Sequence, residues 1–497
     1  MDHSKHHHDD GSACCSCNRR EFLASVGLGS AIFSGLTWSS VASAMPEPPK
    51  VTSGPAKVRV AFLYPPSRVF ADNPDGWWSW PGNEFDAEGR QQEYTAELQD
   101  RADRMGVELD FVEGSIGNAA DAERFAASLK EDRPDGVVLI MFFNNSLPQA
   151  DQILEIAEEA GIPAVFFIGL GVKHGAVGHY RRPGIYLIQS LDNLDAIEYG
   201  IRMIHAKKRM GQATVLSITG DDPVREAQEG FFGTTVRVLP FRRYADLFEH
   251  VSIDDAFRSF SETWRSGATE IRGLTAEAHE NAARAHFALR QLLAEEEADA
   301  VAMNCLREGM LKPCLSFAAL NDALIPAACE NDLPAAYTQL LGQLLVQRPG
   351  FMHNPAFETE RNHYYGSHCT CPTRLHGPEG PQESYLLRRF AHSNEGSCAL
   401  QVFFTPGEPV TMMRYYPGEE PMLDVYAGRV VESHPMPPAA GCTTNVELEI
   451  TDRADACMVR GHHNLIFCGD YARKFRMFTH LHKMALFDSG FEGPWPI

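Results

Sequence analysis

Basic residues are scarce in this chain. Lysine and arginine together number 44 against 66 aspartates and glutamates, which gives a formal net charge of -22 at pH 7. Nucleic acid and anionic membrane surfaces attract proteins of the opposite sign. The composition therefore argues against both as partners, although it does not identify a substrate.

Long hydrophobic runs are absent as well. The apolar segment Leu23–Trp38 is rich in Gly and Ser, and it is too short to span a bilayer. No other stretch of the sequence qualifies as a spanning helix. We therefore expect no membrane association once this segment has been removed.

The residues around that segment resemble a twin-arginine export signal. Arg19 and Arg20 stand directly before it, and Ala42-Ser43-Ala44 offers small residues for cleavage after it. The alternative is a chance arginine pair before an apolar stretch. We predict that residues 1–44 form a signal peptide cleaved after Ala44, that residues 45–56 form a linker, and that the protein is periplasmic or extracellular.

Cysteine is missing between Cys17 and Cys305. Three of the 12 cysteines belong to the leader, so nine remain, an odd number confined to the second half. That pattern is not the disulfide framework of a small secreted scaffold. Cys369-Thr370-Cys371 also lacks the usual spacing of a zinc pair. Because twin-arginine substrates fold before export, we expect most of these cysteines to be reduced core residues.

A dinucleotide-binding signature is missing too. No GxGxxG follows the first predicted strand, Lys57–Tyr64, and Gly169-Leu170-Gly171 is only a fragment of the pattern. Strands and helices nevertheless alternate, which predicts an α/β protein with two Rossmann-like, doubly wound domains at residues 57–205 and 206–350. Short strands with frequent Gly and Pro then predict a small, mostly antiparallel, barrel-like β domain at residues 351–497.

One stretch, Leu324–Pro355, organises the predicted site. Its pattern predicts a strand ending near Ala328, a Leu-rich helix, and a second strand starting at Phe351. A strand-helix-strand crossover is nearly always parallel and right-handed. We therefore expect Glu330 and Asn354 to lie at the carboxyl ends of two parallel strands, on one edge of one sheet, where α/β proteins bind ligands.

Histidines elsewhere could complete a metal site with Glu330. His368 lies in a Gly-Ser-His-Cys segment, and His462 and His463 precede the last predicted strand. A carboxylate and imidazoles on strand ends and loops can hold a divalent ion with open positions. Each also has a simpler interpretation, because a Glu before a helix is often a cap or dipole partner and a strand-end His often only packs.

A Trp-rich loop follows the first predicted strand. It contains Trp77, Trp78 and Trp80 among Gly and Pro residues. Trp78 could stack on the face of a sugar, and we include it among the candidate substrate-binding residues. The alternative is that these aromatic side chains pack against a neighbouring element or subunit.

Several of these segments resemble L-fucose isomerase and L-arabinose isomerase. Cys329-Glu330-Asn331-Asp332 and the Leu-rich helix resemble the family's acidic motif and the element after it. Tyr365-Gly366-Ser367-His368-Cys369 is similar to the segment that places a His near the metal. Gly461-His462-His463-Asn464 is similar to the C-terminal His motif, and the N-terminal alternation fits the family's two Rossmann-like domains.

The resemblance implies an intramolecular aldose-ketose isomerase that uses a divalent metal, usually Mn²⁺, and passes through an enediolate. It implies that Glu330 is a metal ligand and an acid-base group, that His462 or His463 is a ligand, and that His368 lies near the substrate. It also implies a small-molecule sugar or sugar derivative as partner. The family's sites lie at subunit contacts in hexamers, so we expect a homo-oligomer.

The sequence departs from the family at Asn354, where the family has an aspartate that serves as the second catalytic carboxylate and metal ligand. A carboxamide can bind a metal through its oxygen, but it cannot accept the proton. The nearby carboxylates that could replace it are Glu308, Asp332, Glu358 and Glu360. The alternatives are another metal-dependent reaction on a sugar, such as epimerisation or elimination, and a catalytically silent carbohydrate-binding protein.

Overall fold

The computed structural model describes residues 54–72, 86–169, 172, 175–307, 310–390, 396–435, 442–452 and 455–487. Several predicted features lie outside these residues: the signal peptide with Arg19, Arg20 and Ala44, the loop with Trp78, and Glu308. Within the part of the chain that is described, no helix is both long and apolar enough to cross a membrane.

The first sheet is entirely parallel and has the strand order β2-β1-β3-β4-β5. Its strands are β1 (Ala56–Leu63), β2 (Val107–Phe111), β3 (Gly136–Met141), β4 (Ala164–Gly169) and β5 (Ile185–Ser190). The helices along this part of the chain are α1 (Ser67–Ala71), α2 (Ala87–Met105), α3 (Ala119–Glu131), α4 (Leu147–Glu159) and α5 (Leu194–Gln212).

Alternating residues of these strands enter two different cores, one on each face of the sheet. Val58 and Val60 of β1 pack in the core that contains buried residues of α2 and α5. Ala61 and Leu63 pack in the core that contains residues of α3 and α4. Burial on both faces explains why β3 is apolar throughout rather than alternating.

The second sheet has the order β11-β10-β6-β8-β7, and it is parallel except for the antiparallel edge strand β7. Its strands are β6 (Thr214–Ile218), β7 (Arg225–Gln228), β8 (Thr235–Leu239), β10 (Ala300–Met303) and β11 (Ala327–Ala328). The helices here are α6 (Phe241–Glu249), α7 (Asp255–Gly267), α8 (Ala276–Glu295), α9 (Cys314–Asp322) and α10 (Leu333–Val346). A short sheet of β9 (Glu270–Arg272), β14 (Tyr385–Arg389) and β15 (Cys398–Val402) lies apart from it.

The third sheet is a closed barrel of six antiparallel strands. Its ladder runs β16-β19-β12-β13-β18-β17 and closes because β17 also pairs with β16. The strands are β12 (Phe351–Glu358), β13 (His363–His368), β16 (Pro409–Tyr416), β17 (Met422–Ser433), β18 (Thr444–Ile450) and β19 (Asn464–Cys468). Helix α11 (Ala472–Leu481) follows, and β20 (Ala485–Phe487) pairs parallel with β17. The chain is therefore a mixed α/β protein, and the predicted barrel-like antiparallel part is confirmed.

The sequence of this C-terminal part predicts a strand at Ala399–Phe404 and a last helix from about Tyr471 to Leu486, and both are wrong in detail. The strand predicted from Ala399 exists as β15, but it pairs with β14 outside the barrel. The helix predicted to run from Tyr471 to Leu486 ends at Leu481. Met484 N–H donates to Thr479 O, and the chain then continues into β20 instead of prolonging the helix.

The predicted crossover at Leu324–Pro355 is wrong in one important respect. Helix α10 forms and Asp332 caps it, but β12 does not return to the sheet that contains β11. It pairs antiparallel with β13 and β19 in the barrel. A strand-helix-strand pattern looks the same in either case, because it does not record the partners of the second strand, which are the next strand in the chain, β13, and the distant β19. Glu330 and Asn354 therefore do not share one edge of a parallel sheet.

Candidate metal centre

Glu330 occupies a strained turn directly after β11. The turn Cys329–Asn331 is a single 3₁₀ turn in which Glu330 has φ 58° and Asn331 has φ 55°. Non-glycine residues adopt this left-handed conformation at an energetic cost and need support from their surroundings. Ser217 Oγ on β6 provides part of it by donating to Asn331 Oδ1 at 3.0 Å. The turn directs Glu330 toward the barrel instead of back along its own sheet.

Two histidines from the start of β19 meet this carboxylate. His462 Nε2 lies 3.4 Å and His463 Nε2 3.6 Å from Glu330 Oε2. One ligand atom from each of the three residues lies within 4.8 Å of those of the other two. His462 is largely exposed, whereas His463 is buried. The predicted grouping of Glu330 with both histidines is thus present, at a junction between the second sheet and the barrel.

Asp332 orients His463. Its Oδ2 lies 2.8 Å from His463 Nδ1, and Arg414 Nη1 donates to the same oxygen at 3.2 Å. Arg414 also donates to the main-chain oxygen of His463. An ionised carboxylate only accepts, so Nδ1 of His463 must carry the proton. In the neutral ring the other nitrogen, Nε2, then carries no proton, and its lone pair is on the side of Glu330, as in the carboxylate-histidine pairs behind many metal ligands.

The pKa shifts agree with a metal-ligating arrangement. His368, 3.7 Å away, is the largest influence on Glu330 and, with the nearby His463, lowers its pKa to about 2 against the effect of burial. Burial would raise the pKa of Asp332, but His463 and Arg414 lower it to about 2. Burial lowers the pKa of His463 despite Asp332. Near pH 7 the centre therefore presents ionised carboxylates and a neutral buried imidazole, the protonation states that a cation requires.

The surroundings of one atom, His463 Nε2, are compatible with a bound cation. His463 Nε2 is buried and makes no hydrogen bond. A buried polar nitrogen without a partner is costly, and it is rare in folded proteins. A metal ion bound by Glu330 and His463 would supply that partner.

His368 approaches the same carboxylate from the other side. Its Nε2 lies 3.7 Å from Glu330 Oε1, and its Nδ1 lies 3.2 Å from Thr370 Oγ1. The side chain is buried at the end of β13. His368 therefore lies beside Glu330, whereas its role at a metal centre and its contact with a substrate stay predictions.

A cavity of about 480 Å³ opens beside Glu330, and Asn354 and His368 also line it. The register of the barrel sets Asn354 of β12 opposite Ser367 of β13, and Ser367 opposite Asn445 of β18. Opposed residues point to the same face of a sheet, and all three line this cavity. Asn354 Oδ1 is buried and makes no hydrogen bond. The cavity thus brings Glu330 and Asn354 together although they belong to different sheets.

Of the carboxylates that could replace the family's aspartate, the structure describes Asp332, Glu358 and Glu360. None of these three lines the cavity. Asp332 is held by His463 and Arg414 and acts on the site through them. Glu358 lies at the far end of β12, where Arg361 Nε donates to it at 2.7 Å. Glu360 follows in the turn after β12, and neither it nor Glu358 lines the cavity. The side chains described around the cavity therefore include one carboxylate, Glu330.

Sequence reasoning missed the orienting role of Asp332 and missed Arg414 altogether. Asp332 already had a sufficient role as the cap of α10, since its side chain accepts from Ala335 N–H. Arg414 lies in the middle of β16, and its contacts with Asp332 and His463 exist only because the barrel closes. No local pattern in the sequence marks either contact.

Comparisons with known proteins leave the function open. No family model matches the chain, and no curated protein matches it. Among solved structures, one similar chain is named "XylFII-LytSN complex"; it is 10% identical, the match covers 59% of this chain and 93% of that chain, and the TM-score is 0.17. That TM-score is too low to support a shared fold. The resemblance to fucose and arabinose isomerases stays a prediction, and the function has to be argued from the geometry.

Proposed function

We propose that this protein binds one divalent metal ion at Glu330, His462 and His463 and isomerises a sugar or sugar derivative in the adjoining cavity. The observation that carries the proposal is the arrangement of His463. Asp332 fixes its protonation, and its buried Nε2 has no hydrogen-bond partner while lying 3.6 Å from Glu330 Oε2. The ion we expect is Mn²⁺, as the resemblance implies.

The metal ion and the protein side chains would contribute different parts of this reaction. A bound divalent ion polarises a carbonyl oxygen and lowers the cost of the enolate charge that forms when the neighbouring carbon loses its proton. Glu330 is ionised and lines the cavity, so it is the described side chain that can accept this proton and return it to the adjacent carbon. Asn354, Ser367 and Asn445 offer amide and hydroxyl groups that can hold sugar hydroxyls in place.

Asn354 favours a second candidate function. An isomerase with two carboxylates has a second acid-base group, and the cavity has an amide at that position. A different metal-dependent sugar reaction, or binding of a carbohydrate without catalysis, would need no second base. The position of Asn354 next to Glu330 in one cavity is compatible with both of these alternatives.

We further propose that the first and second sheets are Rossmann-like domains, each doubly wound. The support is their parallel strand order and, for the first sheet, cores on both faces. We also propose export through the twin-arginine signal and assembly into a homo-oligomer. Light scattering at micromolar concentration checks the assembly, and a monomer would contradict it.

Metal binding and exchange chemistry test the proposed function together. Protein stripped of metal and titrated with Mn²⁺ should bind one ion per chain, and Glu330→Gln should weaken that binding at least about tenfold because it removes the negative ligand. Incubation of the loaded protein with a panel of aldoses in D₂O should show deuterium entering at C2, together with ketose formation, by NMR.

Glu447 provides a matched control. It also contacts two imidazoles, His363 Nδ1 and His434 Nε2, each at 2.6 Å. Those contacts are full hydrogen bonds, and Glu447 does not line the cavity. Glu447→Gln should therefore leave Mn²⁺ affinity unchanged. Absence of Mn²⁺ binding by the wild type refutes the site, whereas binding without exchange for any sugar favours the second candidate function.

A further inference from the structure

A second cavity, of about 740 Å³, lies among four helices. Helices α2 and α5 belong to the part of the chain that builds the first sheet, and α8 and α10 to the part that builds the second. This cavity shares no lining residue with the one beside Glu330. Its volume is in the range of sites that hold small organic molecules.

Arginines dominate the charged lining of this cavity, although acidic residues outnumber basic ones in the whole chain. The lining includes two carboxylates, Glu198 and Asp299, and five arginines, Arg101, Arg104, Arg202, Arg209 and Arg290. A guanidinium group matches the oxygens of a phosphate or carboxylate with parallel hydrogen bonds. The composition of the lining therefore favours an anionic ligand.

Three of these arginines already have close partners. Glu198 accepts from Arg101 Nη1 at 2.7 Å and from Arg202 Nη2 at 2.8 Å. Arg101 also pairs with Asp195, and Arg104 pairs with a carboxylate one turn earlier in α2. These three side chains contribute positive charge to the cavity, but their charge is largely balanced by the protein itself.

Arg209 is balanced less well. Its Nη2 lies 3.8 Å from Asp299 Oδ1, which is longer than a hydrogen bond. Asp299 Oδ2 accepts from Thr214 N–H at 2.8 Å instead. Burial lowers the pKa of Arg209 in spite of Asp299, and burial also lowers the pKa of Arg290 on α8. Their surroundings thus oppose the positive charge, and an anion in the cavity would offset that cost.

Two further polar side chains of the lining lack partners among the described residues. Gln343 of α10 is 6% exposed, and neither its Oε1 nor its Nε2 makes a hydrogen bond. His205 of α5 has a buried Nδ1 without a hydrogen bond. Burial, Arg209 and Arg202 lower the pKa of His205 to about 4, so its ring is neutral near pH 7. Because buried polar groups are rarely left unpaired, these two side chains also favour a bound ligand.

The remaining lining is largely apolar. Leu293 of α8, Leu340 and Leu344 of α10, and Leu324 and Ile325 before β11 line the same space. An inorganic anion gains nothing from these side chains, whereas an organic ligand can bury apolar surface against them. The cavity therefore combines a charged part with an apolar part.

We propose that this cavity binds a small organic anion. Its oxyanion group, a phosphate or a carboxylate, is held by Arg209 and Arg290 with hydrogen bonds from Gln343, and its apolar body lies against the leucines. The site is independent of the proposed isomerase function, because none of its residues belongs to the candidate metal centre or the cavity beside it.

Three probes test the proposal: phenyl phosphate, phenylacetate and inorganic phosphate. Each is titrated into the full chain by isothermal calorimetry at low ionic strength. We expect one phenyl phosphate or phenylacetate per chain, bound at least about tenfold more tightly than inorganic phosphate because the ring buries apolar surface. The tighter of the two aromatic probes identifies the oxyanion. Binding should weaken as NaCl is added, and Glu330→Gln should bind the probes as the wild type does.

Variants locate the binding. Arg209→Gln should weaken the tighter probe at least about tenfold, because a charge-assisted hydrogen bond is lost. Gln343→Leu should also weaken it without loss of stability, since the amide it removes has no partner in the described protein. Arg284→Gln is the matched control. Arg284 lies on α8 outside the cavity, and its side chain is 22% exposed against 24% for Arg209. It should leave the affinity unchanged.

Three outcomes would overturn the proposal. If neither aromatic probe binds the wild type saturably, the arginines serve only the helix ends, since Arg104 and Arg209 lie in the last turns of α2 and α5. Unchanged affinity in both Arg209→Gln and Gln343→Leu would place the probe elsewhere. Equal weakening in Arg284→Gln and Arg209→Gln would reduce the effect to net charge.

Discussion

Asn354 places a carboxamide in the cavity that Glu330 lines, at a position where the resembling isomerases have an aspartate. Its Oδ1 is buried without a hydrogen bond, so this oxygen has no partner among the described residues. A carboxamide can orient a hydroxyl group or bind a cation through oxygen, but it cannot take up a proton. The identity of this one side chain therefore separates the candidate reactions.

Restoring the aspartate tests that interpretation. Asn354→Asp adds a carboxylate to the cavity, so Mn²⁺ affinity should rise. A positioned acid-base group contributes roughly 10²–10⁴-fold to a rate, so aldose-ketose isomerase activity should appear or increase. The measurement is deuterium exchange at C2 together with ketose formation, wild type against variant.

Asn354→Ala is the control, because it removes the amide without adding a charge. It should not gain exchange activity. If the wild type is already fast and Asn354→Asp abolishes the activity, Asn354 belongs to a different mechanism.

A buried histidine outside the site gives a prediction about pH. His286 stacks on Phe260 with ring centroids 4.2 Å apart. Burial, with a smaller contribution from Arg290, lowers its pKa to about 3. Between about pH 6.5 and 3 the unfolded chain binds a proton that folded His286 does not, so stability falls as the pH falls.

His286→Leu should remove that part of the acid sensitivity. Relative to the wild type, the free energy of unfolding of the variant should rise by about 1 kcal/mol for each pH unit below 6.5. Urea unfolding at several pH values between 7 and about 5 measures this difference. A constant difference between the two proteins across that range would show that His286 becomes protonated in the folded state.

At the level of elements, Asp332 at the start of α10 contributes both to the stability of that helix and to the candidate metal centre. Asp332 accepts from Ala335 N–H as the helix cap and also holds Arg414 and His463. Asp332→Asn keeps a capping oxygen but leaves the buried Arg414 without its opposite charge. Unpaired buried charges are strongly destabilising, so the free energy of unfolding should fall by about 3 kcal/mol or more. Mn²⁺ affinity should fall about 10–100-fold, because His463 loses its orienting carboxylate.

Asp254 supplies the matched control for that variant. It caps α7 by accepting from Phe257 N–H, and it has a capping role without a buried arginine or an imidazole beside it. Asp254→Asn should cost less than about 1 kcal/mol and leave Mn²⁺ affinity unchanged. Urea unfolding and Mn²⁺ titration of both variants measure the contrast. Equal effects of the two substitutions on stability and on Mn²⁺ affinity would show that Asp332 acts only as a helix cap.

At the scale of the whole molecule, export is the property that the leader predicts. Arg19 and Arg20 precede an apolar segment and a predicted cleavage site ending at Ala44. Replacing both arginines by lysine should leave uncleaved precursor in the cytoplasm, because the motif is read as an address. Cell fractionation and the N-terminal sequence of the exported protein measure the outcome. Normal export of the double variant would show that this signal is not used.

The local features of this protein follow from its sequence alone. The period of apolar residues predicted the alternation of strands and helices, beginning with the strand at Lys57–Tyr64, which the structure has as β1 (Ala56–Leu63). It also predicted the antiparallel character of the C-terminal part. These features depend on residues close together in the chain, so a one-dimensional pattern carries them. The grouping of Glu330 with His462 and His463 was expected from the family resemblance and not from a local pattern, because 132 positions separate Glu330 from His462.

How those parts meet is visible in the folded protein. There, β12 lies in the barrel instead of the sheet of β11, because it pairs with the strand that follows it, β13, and with the distant strand β19. The fold also brings Arg414 to Asp332 and gathers five arginines around one cavity. Strand pairing and core packing act between residues that the chain separates by tens to hundreds of positions. No local period records such contacts, so they become visible only in the folded protein.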